Sequence, residues 1–205
     1  MGADLEELRL LHEKILVCPL CHLSKTRKNA VPGVGNPESR IMFIGEGPGG
    51  NEDLRGEPFV GRAGAFLDEC LQTIGLKRTD VFITNVIKCR AAEVVGDTMK
   101  DRRPSEEEIS ICSPYLNKQI ELIAPKLIST LGDVAKTYIL SKYGLPDGTM
   151  GQTHGRLLSA GPLKIVPLYH PAAALYDPKL RDIILRDFRI LAEILRQPDL
   201  SRFTG

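Results

Sequence analysis

The segment Arg40–Gly50, RIMFIGEGPGG, decides the fold. Its first half is apolar on both alternating faces, the mark of a strand covered on both sides. Its second half is a glycine-rich turn. Three further runs repeat the first pattern: Asp80–Val86 (DVFITNV), Lys126–Gly132 (KLISTLG) and Lys164–His170 (KIVPLYH). Helical patterns separate them. Ala63–Ile74 carries Phe66, Leu67, Leu71 and Ile74 on one face, with Gly75 as its C-cap. Ser105 and Glu108 form a capping box that opens a helix over 106–123. Ala135–Tyr143 is another helix. Ile183–Leu195 is amphipathic, with Ile184, Phe188, Leu191 and Leu195 inward. Strand–helix alternation predicts an α/β fold, a three-layer α/β/α sandwich around a central four-stranded parallel sheet. The flanks are less regular. Leu5, Leu8, Leu11, Ile15 and Leu16 predict a first helix over 4–17, residues 29–39 read as loop, and Ala91–Arg103 reads as an exposed loop.

The chain has 205 residues, 42% of them apolar and 26% charged, with a net charge of +1. That balance excludes a disordered chain, and the length suits one domain over 1–205. No apolar run approaches the roughly 20 residues that span a bilayer, so no membrane role is expected. The acidic, amphipathic N-terminus is not a secretory signal. A reducing cytoplasm is the expected location, and the odd count of five cysteines argues against a disulfide framework. The net charge offers no global attraction to nucleic acid, although it leaves room for a local basic surface.

Parallel sheets bind ligands beyond the carboxyl ends of their strands. Those ends here gather Gly45-Glu46-Gly47-Pro48-Gly49, Asn85, Gly132-Asp133 and His170-Pro171. The GEGPG loop lacks both GxGxxG and the Lys-Ser/Thr of a phosphate loop. Pro48 removes an amide donor, so the loop suits a tight pocket better than a polyphosphate. Asn85 carries a donor and an acceptor on one flat amide, which matches an imide edge such as N3–H and O4 of a pyrimidine. His170 can donate to a developing oxyanion, and Phe59, between two turns, can stack on a flat ligand or plug the core. Each of these has an ordinary structural reading as well. Cys18 and Cys21 have the two-residue gap that presents two thiolates to one metal centre, and Cys89 and Cys112 can complete a set of four. Zinc and an iron–sulfur cluster both fit that spacing. Cys70 reads as a small buried hydrophobe. His12, His22 and His154 receive no functional role.

Taken in order, CPLC, GEGPG with Glu52-Asp53 and GEPFVGRAG (56–64), TNVIKCR (84–90), Cys112 in its helix and HPA (170–172) are five motifs over about residues 14–195. On these the chain resembles the family-4 uracil-DNA glycosylases, the iron–sulfur branch of the uracil-DNA glycosylase superfamily. The resemblance implies a 4Fe–4S cluster on Cys18, Cys21, Cys89 and Cys112 at one side of the fold. It implies hydrolysis of the N-glycosidic bond of deoxyuridine in DNA, a base-excision repair reaction that leaves an abasic site. The pocket would be Glu46, Gly47 and Pro48 near the uracil O2 side, Phe59 stacked under the extruded base, Asn85 reading its Watson–Crick edge, and His170 stabilising the uracil anion.

The chain also departs from the pattern. Better-known superfamily members hold a water-activating Asp where this chain has Gly47. Glu46 is the first replacement and Glu52 the second; Glu52 can alternatively exclude thymine at C5. After Cys89 the family's Pro-Pro-x-Asn-Arg gives way to Ala91-Ala92-Glu93 and an insertion, with Arg102 and Pro104 as displaced counterparts. Leu175 is the candidate wedge into the vacated base stack. DNA phosphates are assigned to Lys25, Arg27, Lys28, Arg62, Lys88, Arg90, Arg102 and Arg103. A related branch captures uracil-DNA without turnover and carries a histidine in the loop after the second strand; none stands between Cys89 and Cys112. An iron–sulfur electron carrier would not need the Asn85–His170 convergence. A monomer is expected. A sliding clamp enters as a partner only because repair enzymes of this kind use one, and no docking motif stands out.

Overall fold

The computed structural model describes residues 2–196. Its elements are α1 (Gly2–Leu16), β1 (Val34–Gly35), β2 (Ile41–Gly45), α2 (Gly50–Arg55), α3 (Arg62–Thr73), β3 (Phe82–Asn85), β4 (Ala92–Val95), β5 (Thr98–Asp101), α4 (Glu106–Ile123), β6 (Leu127–Leu131), α5 (Asp133–Lys142), α6 (Met150–Thr153), β7 (Leu158–Ala160), β8 (Leu163–Leu168) and α7 (Pro178–Leu195).

One sheet of six strands runs β1-β3-β2-β6-β8-β7. The expected sheet of four is thereby corrected to a mixed sheet. Its inner pairs, β3·β2, β2·β6 and β6·β8, are parallel, and β1 and β7 add antiparallel edges. Both edge strands are too short to show a pattern in the sequence. Alternation along the inner strands sorts side chains to two cores. Met42, Ile44, Ile128 and Ile165 meet residues of α1, α4 and α5 on one face. Ile41, Phe43, Leu127, Leu131, Val166 and Leu168 meet residues of α3 and α7 on the other. Phe43 and Phe188 of α7 stack at 5.8 Å between ring centroids. Each fully buried Leu or Ile of this kind contributes about 2 kcal/mol by leaving water.

The capping box that opens α4 is closed in both directions. Glu108 N–H donates to Ser105 Oγ at 3.1 Å, and Ser105 N–H donates to Glu108 Oε2 at 2.7 Å. Helix α3 ends as a Schellman turn, with Leu76 N–H donating to Leu71 O at 3.0 Å and Gly75 N–H to Gln72 O at 3.1 Å. Three expectations need correction. The stretch 91–103 is not an irregular loop: β4 and β5 pair as a hairpin closed by Gly96-Asp97. Its strands are polar and exposed, so no buried face betrays them. In α1 the inward residues are Leu8 and Ile15, whereas Leu5 and Leu16 are exposed. Helix α7 starts at Pro178, five residues before the expected 183, because Asp177 caps it by accepting from Lys179 N–H at 2.9 Å.

Candidate active site

The inner strands end together, and their loops enclose a cleft of about 330 Å3. Glu46, Gly47, Pro48, Glu52, Phe59, Asn85, Arg102 and His170 all line it. Seven positions expected at the pocket or in the chemistry therefore meet in one cavity, joined by Arg102, which the sequence assigned to DNA phosphate. The loops after β2 and β3 stay paired beyond the strands, with Val86 N–H on Gly45 O at 2.9 Å and Ile87 N–H on Glu46 O at 3.1 Å. That pairing holds Glu46 and Asn85 in fixed register.

Asn85 is the last residue of β3, opposite Gly45 and 2% exposed. Among the described residues its side-chain amide has no hydrogen-bond partner, so its donor and acceptor are open to a ligand. Phe59 is buried beside it and also faces His170, with ring centroids 5.6 Å apart and planes 26° from parallel. The ring is thus a floor shared by the cleft and the histidine.

His170 follows β8 and caps the turn Pro171–Leu175. Ala172 N–H donates to its Nδ1 at 3.1 Å, which assigns the proton of the neutral ring to Nε2. Burial pulls its pKa down to about 4, against an opposing pull from the Glu52 carboxylate. Near neutral pH the ring is uncharged and keeps one N–H to donate. Burial pushes the Glu46 carboxyl above its usual range; Arg103 counteracts this and Asp133 adds to it. Glu52 lines the cleft, but its Oε1 already accepts from Val60 N–H at 2.9 Å and Gly61 N–H at 3.0 Å. Asp101, at the end of β5, is a charged wall residue that sequence reading missed. Only recognition of the hairpin would have revealed it.

The basic surface differs most from expectation. Lys88 is 1% exposed, and its Nζ donates to Thr84 Oγ1 at 2.6 Å, Asn85 O at 2.7 Å and Gln119 Oε1 at 2.7 Å. It is an internal strut rather than a phosphate contact. Burial lowers its pKa to about 7. Arg27 donates to Cys89 Sγ at 3.0 Å and to Leu16 O at 3.1 Å. Arg90 pairs with Asp101 at 2.5 Å and so braces the hairpin. Arg102 grips Glu108 through two hydrogen bonds, at 2.8 and 2.5 Å. Arg103 lies 3.6 Å from Asp133. Arg62 is exposed at the start of α3, and Lys25 and Lys28 lie on the surface of the N-terminal loop. Leu175 is 38% exposed, and its neighbour Tyr176 is 82% exposed.

Cys18, Cys21, Cys89 and Cys112 line a second, small cavity with Ile15, Ile111 and Tyr115. Two backbone or side-chain donors point at its sulfurs: Arg27 at Cys89, and Lys88 N–H at Cys112 Sγ at 3.2 Å. Burial pushes the Cys89 and Cys112 thiols up, Cys112 to about 11. Among the described residues no three ligands close on a single metal ion. Cys70 is fully buried in the opposite core, as expected. The three histidines without a functional role have structural ones. His12 meets Gln119 at 3.1 Å, His22 meets Glu108 at 2.9 Å, and His154 meets the buried Asp187 at 2.7 Å.

The sequence model of the Uracil DNA glycosylase superfamily matches residues 32–191. The type-4 uracil-DNA glycosylase of Saccharolobus solfataricus is 44% identical over 202 residues, covering 96% of this chain and 90% of that protein. The type-4 enzyme of Sulfurisphaera tokodaii is 43% identical over 205 residues, covering 98% and 89%. That of Archaeoglobus fulgidus is 42% identical over 202 residues, covering 96% and 98%.

Proposed function

Because the chain belongs to the uracil-DNA glycosylase superfamily, we propose that it hydrolyses the N-glycosidic bond of deoxyuridine in DNA, releasing uracil and leaving an abasic site. The observation that carries this reading is the meeting, in one cleft, of an unpartnered Asn85 amide, the Phe59 ring and a neutral His170. A base inside a duplex cannot be reached, so it must be extruded into such a pocket. Phe59 then stacks under it. Asn85 donates to O4 and accepts from N3–H, and cytosine, which lacks that hydrogen and carries an amine at C4, is rejected.

As the glycosidic bond lengthens, its electron pair moves onto uracil and the sugar becomes oxocarbenium-like. The Nε2–H of His170 is assigned to the resulting anion at O2. A donor already in place, in a site that excludes water, is worth about 3 kcal/mol of barrier. An uncharged imidazole suits this task, since it donates without needing to be reprotonated between turnovers. Water completes the reaction at C1′, its hydroxyl joining the sugar and its proton leaving to a base. Glu46 is the assigned base, because its half-buried carboxylate is a stronger proton acceptor than an exposed one. Glu52 is better suited to holding the loop of Phe59, given its two backbone hydrogen bonds.

Cys18, Cys21, Cys89 and Cys112 would hold a 4Fe–4S cluster, and their donor set fits one: four thiols on one cavity, two of them already receiving N–H donors. Held by these residues, such a group would tie the N-terminal segment to the loop after β3 and to α4, and would supply no chemistry at the glycosidic bond. Arg62, Lys25 and Lys28 are the assigned phosphate contacts, and Leu175 the wedge.

The decisive experiment is a single-turnover assay on a uracil-containing oligonucleotide, with free uracil and alkali-labile sites both measured. Stoichiometric release supports glycosylase activity. Tight binding without released uracil would overturn it in favour of capture.

A further inference from the structure

Phe59 has φ 54°, a left-handed conformation that bulky side chains rarely adopt. Such a residue persists only where its surroundings over-determine it. Here three elements close around it. From α2, Glu52 Oε1 accepts the N–H groups of the next two residues, Val60 and Gly61. From α3, Gly64 lies so close that a Cβ there would stand 1.7 Å from Phe59 O. From the turn before β3, Arg78 reaches across. Its Nη1 donates to Pro58 O at 3.1 Å, and its Nη2 donates to Phe59 O. The remaining donor, Nε, is fixed by Asp68 Oδ1 of α3 at 2.5 Å.

We propose that Arg78, oriented by Asp68, is a positioning residue that clamps the carbonyls of Pro58 and Phe59, so that the Phe59 ring stands as a fixed shelf for the extruded base. The inference rests on the glycosylase reading for the identity of what stacks. The chemistry favours a guanidinium: only arginine offers a planar fork of donors that can serve two carbonyls and a carboxylate at once. Arg78 is partly exposed, so its pair with Asp68 contributes little to stability by itself. Its placement on consecutive carbonyls of a strained residue is better explained by the need to hold one ring. Because the same ring faces His170, a loosened shelf would disturb both stacking and the donor to the anion.

The test is a double-mutant cycle between R78A and F59A, read by single-turnover uracil release and by DNA affinity. R78A should slow release by roughly tenfold to a hundredfold, the loss typical of a misplacement near 1 Å, with DNA affinity little changed. On an F59A background the same substitution should cost about twofold or less, because coupled residues do not add. An equal loss on both backgrounds, or an unchanged rate in R78A, would overturn the clamp. Should R78A fail to fold, R78K and D68N retain volume and are expected to show smaller losses with the same dependence on Phe59. A crystal structure of the folded variant gives an independent readout. Phe59 departing from φ near 54° supports the clamp, and Phe59 unmoved overturns it. If the wild-type protein released no uracil, the glycosylase reading would fail while the crystallographic comparison still decided the clamp.

Discussion

Gly45 and Asn85 stand opposite each other at the ends of adjacent parallel strands, and the Asn85 amide occupies the space that a side chain on Gly45 would need. A Cβ at Gly45 would lie 2.4 Å from Asn85 Oδ1 and 2.7 Å from Phe59 Cζ. The glycine is what lets the base-reading amide and the stacking ring share one floor. Gly45→Ala should therefore displace both and reduce uracil release by about a hundredfold. Single-turnover kinetics, with circular dichroism to verify folding, measure this. A folded G45A with wild-type kinetics would mean that neither group depends on its present position.

His170 predicts two pH effects. Its folded pKa, about 4, lies below the unfolded value near 6.5, as does that of His12, which burial and Lys88 also hold near 4. Between those limits the unfolded chain binds more protons than the folded one. The contribution of these two histidines to stability should be fully present above about pH 6.5 and be lost as pH falls toward 4. Thermal midpoints across this window provide the check, and the combined variant H12Q/H170A should flatten the decline. The rate of uracil release, by contrast, should show no midpoint near 6.5 from this histidine. His170→Ala should lose about a hundredfold or more, in line with removal of a preorganised donor.

Glu108 joins three parts of the chain: it caps α4, grips Arg102 of the cleft wall, and meets His22 beside Cys21. The Arg102 hydrogen bond holds its carboxyl down at about 2. Its stabilisation is present above the ordinary carboxylate range and fades as pH falls through that range toward 2. Glu108→Ala should cost about 2 kcal/mol, less than a fully buried pair because Arg102 retains some contact with water. Chemical denaturation quantifies it, and a loss near zero would show the buried carboxylate to be inert.

Cations near the cleft should divide by their pairing. Arg62→Ala should lower the slope of DNA affinity against salt concentration by about 1, as the loss of one phosphate contact does. Lys88→Met should leave that slope unchanged and lower thermal stability instead, because the three acceptors around Nζ would lose their donor. A reduced salt slope in K88M would contradict the internal placement of Lys88.

Iron and acid-labile sulfide should each approach about four per chain in anaerobically purified protein, with a brown colour and broad visible absorbance. Cys112→Ser should lose most of both, and Cys70→Ser should keep both. A colourless protein with one zinc per chain would refute the cluster.

Much of this molecule was legible from residue order. The four inner strands are double-sided apolar runs, and that pattern survives because a strand buried on both faces tolerates few alternatives. The capping box at Ser105 and Glu108 is equally local. The cleft was legible too, because parallel strands deliver their carboxyl ends to one edge, bringing Glu46, Asn85 and His170 together without any long-range information. The β4–β5 hairpin was not legible, since its exposed strands bury nothing. Edge strands β1 and β7 are too short to carry a period.

Sequence by itself determined the α/β order, the strand ends that form the cleft, and the residue types gathered there. Tertiary structure alone decided the partners of the charged groups. Lys88 lies in a run of loop-like residues beside a cysteine, and nothing local distinguishes a buried ammonium from a phosphate contact. Its acceptors include Gln119, 31 residues away, and Arg27 reaches Cys89 across 62. Periodicity reports only which face of an element is apolar. Whether a charge meets water, DNA or a distant acceptor depends on which segments the fold brings within about 3 Å, the reach of a hydrogen bond.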